Sequence, residues 1–166
     1  HVFIVSGDKD LMQVVSSSAS IYSPGNKFKP TTIYNEEKVI DKWDVSPNRI
    51  IDYLALVGDS SDNIPGVEGV GPKTAIKLLK EFDNVENIYN SLDEIKNIKL
   101  KEKLFNNKSN ALLSKDLVTL DLDVPIEYSL ESMSKDNIDF DSMKKELNNI
   151  EIYNFDSSFD GFSNGE

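Results

Sequence analysis

Two short aspartate pairs carry the chemistry open to this chain. Gly7-Asp8-Lys9-Asp10 follows an apolar run, and Gly58-Asp59-Ser60-Ser61-Asp62-Asn63 ends an apolar helical pattern. Two carboxylates in one short loop can aim at a single point. A hard cation that takes oxygen ligands, Mg²⁺ or Mn²⁺, relieves their repulsion. Each pair also has a plainer use. Asp8 can cap a following helix with Asp10 solvated in its first turn, and the second loop can be an Asp-rich turn bonded to its own backbone. An EF-hand is excluded, because an EF-hand loop wants Glu where this chain has Val70.

A third constellation is Gly66-Val67-Glu68-Gly69-Val70-Gly71-Pro72-Lys73-Thr74. Pro72 separates Gly71 from Lys73, so this is not a Walker A loop. The glycine order is G-x-x-G-x-G with no strand before it, so it is not a dinucleotide fingerprint. What remains is a glycine hairpin between two helices. Its glycines let backbone come close to a phosphate, and Pro72 suits the first position of a helix. The free amides and dipole of that helix start, with Lys73 and Thr74, favour an anion. The plainer reading is a tight helix–helix turn with Lys73 in solvent. The agreement of glycines, helix start, lysine and threonine on one task favours phosphate, held by backbone and shape rather than by base reading.

The elements that must position these residues follow from hydrophobic periodicity. Val2-Phe3-Ile4-Val5 reads as a buried, parallel strand that stops at Ser6-Gly7. Leu11, Met12, Val14 and Val15 suit a short helix, and Ile21-Tyr22 a second strand before Pro24-Gly25; Lys27 to Pro30 is an exposed loop. After Thr32 the pattern turns helical: Glu36 to Trp43, then Ser46-Pro47 as a cap with proline at the first helical position, then Ile50, Ile51, Leu54 and Val57 up to Gly58. Pro72 opens a helix with Ala75, Ile76, Leu79 and Phe82 on one face. Val85, Ile88 and Leu92 mark another, and Leu100, Leu104, Phe105, Leu112 and Leu113 continue the helical region to about Leu117. Leu120 to Tyr128, with Pro125, reads as an extended strand-like piece that returns along the body. Residues 154–166 are rich in Ser, Asp, Gly and Asn and read as frayed.

Composition narrows the chemistry further. The chain has 166 residues, no cysteine and a single histidine, His1. Disulfides, thiolate metal sites, His-based zinc sites and a Ser-His-Asp triad are therefore excluded, and a reducing, cytoplasmic setting is expected. No apolar run reaches the length of a membrane span. The opening HVFIVSGDKD is not a signal peptide; it reads as the interior of a longer polypeptide. The net charge of −11 argues against nucleic acid until its distribution is considered. Residues 116–166 hold 13 acids and 3 bases, whereas 1–115 hold 16 and 15. Lys96, Lys99, Lys101, Lys103, Lys108 and Lys115 face only Glu102 as a local acid. Such a cluster can be a solvated helix face, or a basic surface that meets phosphates despite the overall charge.

Three strings, GDKDLMQVV, IIDYLALVGDSSDNIPGVEGVGPKTAIKLL and ALLSKDLVTLDLDVP, in that order, closely resemble the 5′-nuclease domain of bacterial DNA polymerase I. The resemblance runs from residue 1 to about 128 and is looser from Ser129 on, where ELNNIEIYNF is only weakly similar to the family's closing helix. It implies an α/β, mainly helical fold: residues 1–34 as the end of a PIN-like nuclease core, 35–128 as a helix-two-turns-helix DNA-binding subdomain, and 129–166 as an acidic extension or linker. It implies two Mg²⁺ or Mn²⁺ ions, with Asp8, Asp10, Asp59 and Asp62 as ligands on the second-metal side and Ser60 and Asn63 orienting them. It implies DNA contacts at Gly66, Gly69, Gly71, Lys73, Thr74 and Lys77, and K⁺ on the main-chain carbonyls of Gly66, Val67 and Val70. The expected substrate is duplex DNA with a 5′ end or flap, cut by a monomer that a polymerase domain follows. The family's remaining carboxylates and basic residues match nothing in this chain, so the chain by itself is expected to be a poor nuclease. Two other readings remain open: a DNA-binding module without catalysis, and an acidic protein-interaction fragment driven by residues 129–166.

Overall fold

The computed structural model describes residues 1–134 and 138–153. It divides into two compact units, His1–Leu122 and Asp123–Glu166. The first unit starts with a three-stranded sheet in the order β1 (Val2–Val5), β2 (Ala19–Ser23), β3 (Thr32–Tyr34). β1 and β2 are parallel, with Val2 opposite Ala19 and Val5 opposite Tyr22; β2 and β3 are antiparallel, with Ile21 opposite Tyr34. A 3₁₀ turn, Asp10–Val14, crosses from β1 towards β2. Six helices follow: α1 (Glu36–Trp43), α2 (Ile50–Val57), α3 (Pro72–Phe82), α4 (Val85–Asn90), α5 (Ile98–Asn106) and α6 (Lys108–Val118). Sheet and helices share one core, in which Met12 and Ile21 cluster with Val39, Leu54, Leu56, Ile88, Leu104 and Val118.

The helices form where spacing and caps agree. α1 is capped by Asn35, whose Oδ1 accepts from Lys38 N at 3.0 Å. α3 begins at Pro72 as expected and buries Ala75, Leu78, Leu79 and Phe82, the spacing of a single helical face; Leu78 takes the buried place expected of Ile76. α6 turns Ala111, Ser114 and Val118 inward, while Leu112, Leu113 and Leu117 stay exposed.

Several sequence expectations need correction. β1 pairs in parallel as expected but is not buried: Val2 is 59%, Phe3 54% and Val5 68% exposed, because β1 stands at the end of the strand order with β2 alone beside it. Thr32–Tyr34 is a strand, not the start of the helical region. Three residues are too few to show alternation, and its register comes from β2 and from Tyr34, which packs edge-on against Trp43 with ring centroids 5.7 Å apart. Ser46 does not cap through its side chain; its Oγ donates to Asn48 Oδ1 instead. Leu92 lies outside α4, in a separate 3₁₀ turn over Leu92–Glu94. Residues 120–128 form no strand. The tail expected to fray, 154–166, lies outside the described residues. In the second unit, a turn around Ser129–Ser134 precedes α7 (Phe140–Asn149), capped by Asp139, whose Oδ1 accepts from Ser142 N at 3.0 Å.

One buried carboxylate ties four parts of the first unit together. Asp52 on α2 is 3% exposed. Its Oδ1 accepts from Lys115 Nζ on α6 at 2.8 Å and from Val85 N, at the start of α4, at 3.1 Å. Its Oδ2 pairs with Arg49 at 3.5 Å, and Arg49 also reaches Asp83. Lys115 in turn bonds Glu86 at 2.6 Å. Removing one member of such a set leaves its partners without a counter-charge, which costs more than the pair itself contributes. Asp52→Ala is expected to lower the unfolding free energy by about 3–5 kcal/mol. Asp93→Ala, which removes only the exposed pair with Lys101, should leave it unchanged; urea denaturation of the two variants checks this contrast.

Candidate metal centre and phosphate-binding hairpin

The first aspartate pair stands where β1 ends. Asp8 N donates to Ser6 Oγ at 3.1 Å, and Asp8 Oδ1 accepts from Asp10 N at 3.0 Å. Asp8 thus braces the turn that leads into the 3₁₀ segment, whose N-cap position is Lys9 and carries no side-chain cap bond. Asp10 sits in the first turn, and its Oδ1 is buried without a hydrogen-bond donor. Burial, and after it the neighbouring Asp8 carboxylate, pushes the Asp10 pKa upward; Lys9 partly offsets this, and Asp59 and Asp62 add to it.

The second pair is held by a loop that closes on itself. Asp59 N donates to Ile64 O at 2.9 Å and Ile64 N returns to Asp59 O at 2.8 Å. Asp59 is 6% exposed. Its Oδ1 accepts from Ser61 N at 3.0 Å and from Ser61 Oγ at 2.6 Å. Its Oδ2 forms a close ion pair with Lys9 but has no aligned hydrogen bond. Burial alone would raise the Asp59 pKa, but the contacts from Lys9 and Ser61 outweigh it and hold the carboxyl well below the usual range. Asp62 is exposed, and its contact with the Asp59 carboxyl pushes its pKa up. Ser61 therefore orients Asp59, where Ser60 was expected. Asn63 contributes a left-handed backbone turn at φ 57°, a conformation asparagine tolerates better than most residues.

Lys9 joins the two loops. Its Nζ pairs with Asp59 and lies 3.3 Å from Ser61 Oγ, across 52 residues of chain. The carboxylates of both pairs act on one another: Asp10 feels Asp8, Asp59 and Asp62, and Asp62 feels Asp8. Among the described residues no three carboxyl groups close on one point. The donor set fits a hard divalent cation all the same. It is all oxygen, it lies beside a strand end, and it includes a buried carboxylate oxygen that no proton donor satisfies. Neither the lysine bridge nor Ser61 carries a signal in spacing alone; each emerges only when the loops meet.

The hairpin follows at once. Gly58 and Gly66 have φ of +75° and +63°, and a Cβ on Gly66 would lie 2.5 Å from Gly58 N. Val67 and Val70 point into the core, and Val67 O accepts from Val70 N at 3.0 Å. Gly69 has φ +73°, and its carbonyl accepts from Lys103 Nζ at 3.2 Å. Gly71, with open space where a Cβ would stand, leads into Pro72; its carbonyl accepts from Thr74 N and Ala75 N, both at 3.0 Å. Lys73, Thr74 and Lys77 line a groove of about 840 Å³ with Lys96, Lys99 and Lys103 of the α5 region, alongside Glu81 and Glu94. The six-lysine cluster is thus not one face. Lys101 pairs with Asp93, Lys108 lies over the Tyr89 ring and Lys115 serves Asp52.

Residues 45–141 match the family described as "5'-3' exonuclease, C-terminal SAM fold". The chain is 48% identical over 133 residues to DNA polymerase I of Bacillus subtilis (strain 168), a match covering 80% of this chain and 15% of that protein. It is 41% identical over 151 residues to a 5'-3' exonuclease of Aquifex aeolicus, covering 91% of this chain and 50% of that one. The chain therefore spans half or less of the length of these relatives. Among solved structures it resembles T5 5'-exonuclease with bound zinc, at TM-score 0.61 and 26% identity over 71% of this chain and 42% of that one. It resembles a T5 flap endonuclease complex with DNA and metal ions at TM-score 0.61, 25% identity and the same coverage. With its aspartate loops and glycine hairpin framed by α2, α3 and α6, the chain belongs to the 5′–3′ exonuclease family, and residues 45–141 are its C-terminal SAM-fold part.

Proposed function

We propose that this chain is part of a metal-dependent 5′ nuclease that hydrolyses phosphodiester bonds in duplex DNA with a 5′ end or flap, within a DNA polymerase I-type protein acting in replication and repair. The observation that carries this reading is the buried Asp10 Oδ1 without a donor, on a loop that Lys9 joins to Asp59 and Ser61. In this reading Asp8, Asp10, Asp59 and Asp62 hold the second-metal side of a two-ion Mg²⁺ or Mn²⁺ site. Ions held there would supply activation of water and offset charge on the leaving oxygen.

The chain's own residues do the rest. Ser61 fixes the Asp59 carboxylate by two bonds to one oxygen, leaving the other directed towards Lys9 and the first loop. Asp8 keeps its loop in shape through Asp10 N. Gly69 and Gly71, both exposed, bring main chain close to the DNA backbone, where Lys73, Thr74 and Lys77 meet its phosphates; Gly66, expected there too, is buried against Gly58 and bonded to Ser114, and shapes the turn instead. Main-chain carbonyls of Gly66, Val67 and Val70 take K⁺. The organisation that goes with this reading is a nuclease-core end over 1–34, a DNA-binding subdomain over 35–128 and an acidic linker over 129–166, in a cytoplasmic monomer that a polymerase domain follows. Among the described residues no helix is long and apolar enough to cross a membrane.

Two variants of the intact protein test the two halves of this reading. Asp59→Asn is expected to abolish turnover and weaken Mn²⁺ binding measured by electron paramagnetic resonance, with DNA affinity in Ca²⁺ retained; parallel loss of DNA affinity would remove Asp59 from the metal site. Lys73→Ala is expected to weaken DNA binding and to reduce the slope of log affinity against log salt by about 0.9, the share of one phosphate contact. An unchanged slope would place Lys73 outside the interface.

A further inference from the structure

A single side-chain amide joins the first aspartate loop to the end of α6. Gln13 Nε2 donates to Asp10 O at 2.8 Å and to Val118 O at 2.9 Å, and Gln13 Oε1 accepts from Leu120 N at 3.1 Å. Both N–H groups and the carbonyl of the amide are used. Every bond ends on main chain, so the amide fixes the path of both segments whatever side chains they carry. Gln13 interrupts an otherwise apolar turn of Leu11, Met12 and Val14, and packing alone gives no reason for an amide there.

The same helix reaches the hairpin one turn earlier. Ser114, fully buried, accepts from Gly66 N at 2.9 Å. Gly66 is the residue at which the hairpin begins, and its left-handed backbone is packed against Gly58. Between these two contacts Lys115 anchors α6 to α2 and α4 through Asp52 and Glu86. Ser114 and Val118 are four residues apart on one rigid helix, about 6 Å along its axis. One helix therefore holds the carboxylate loop at one point and the phosphate-binding turn at another, through hydrogen bonds to their backbones.

We propose that Gln13 and Ser114 are positioning residues that, through α6, fix the separation of the aspartate loops from the hairpin and thereby select which phosphodiester bond is cut. The proposal rests on the nuclease reading above. If the hairpin holds the duplex by its phosphates and the carboxylates act at one point, the cut position is a length, and this length runs through α6. Neither residue touches substrate in this account.

The test uses the intact protein that carries this chain and a 5′-flap duplex labelled at its 3′ end. Under single turnover with Mg²⁺, Gln13→Ala is expected to spread cleavage from the parent's position onto neighbouring bonds. The rate should fall on the order of tenfold to hundredfold, the usual consequence of a small misplacement, with Mn²⁺ affinity and DNA affinity in Ca²⁺ unchanged. Ser114→Ala should do the same from the other end, and the double variant should fall no further than the worse single variant, because both act through one helix. Ser114→Thr, which keeps the hydroxyl, should restore the parent's cut position. Gln13→Glu, nearly the same size but without the two donors, should behave like Gln13→Ala and serves if the alanine variant does not fold. An unchanged cut position and rate in these variants overturns the proposal alone. So does a loss of metal and DNA affinity in step with rate and melting temperature, which is what a merely structural role produces. A parent that neither binds Mn²⁺ nor cleaves overturns the nuclease reading and this proposal with it.

Discussion

Between the end of α2 and the start of the hairpin, the chain leaves and returns to nearly the same point. Gly58 and Gly66 meet backbone to backbone: a Cβ on the first would stand 2.6 Å from Ile64 O, and one on the second 2.5 Å from Gly58 N. No side chain fits at either place, and both residues take a left-handed φ. This contact is what lets a buried Asp59 and the glycine hairpin be neighbours. It closes the loop that presents Asp59 to Lys9, and it delivers Val67 N to Leu56 O at 2.8 Å, which starts the hairpin on the body of α2. The aspartate loop and the glycine hairpin are brought within one structural step by two glycines.

Charge is spent unevenly around that centre. The most buried acid, Asp52, is fully occupied with Lys115, Val85 and Arg49 and holds helices together. The acids of the candidate centre are treated differently: Asp10 keeps a bare buried oxygen, and Asp59 and Asp62 press on one another with Lys9 as the nearby base. Unsatisfied buried polar atoms are uncommon and tend to mark function rather than stability. A similar division runs through the lysines, of which some tie helices or cover an aromatic ring while Lys96, Lys99 and Lys103 share a groove with Lys73 and Lys77.

Much of this was legible in the sequence where a local rule decides the outcome. The bounds of α1, the end of α2 at Gly58 and the start of α3 at Pro72 follow from apolar spacing, glycine and proline, whereas Ser46-Pro47 opens a separate 3₁₀ turn and α2 begins only at Ile50; the two aspartate pairs and the hairpin stand out because glycine and charge recur at short intervals. What was not legible depends on contacts across the chain. The apolar run of β1 predicts burial, yet exposure is set by what lies beside it. Thr32–Tyr34 is a strand because β2 offers it an edge. Ser60 and Ser61 are equivalent in the sequence, and only the turn geometry selects Ser61. Gln13 and Ser114 carry no signal in the sequence until their partners, 105 and 48 residues away, come into place.

The exposed β1 leaves the sheet open to extension on one side. Val2–Val5 contains no charge and no proline, and one side of it has no strand alongside among the described residues. Natural sheets commonly blunt such borders with lysine, proline or a bulge, because an open apolar rim templates pairing by another polypeptide. Such a border is where a sheet takes a further strand, from the same polypeptide or from another, here at the opposite end from β3.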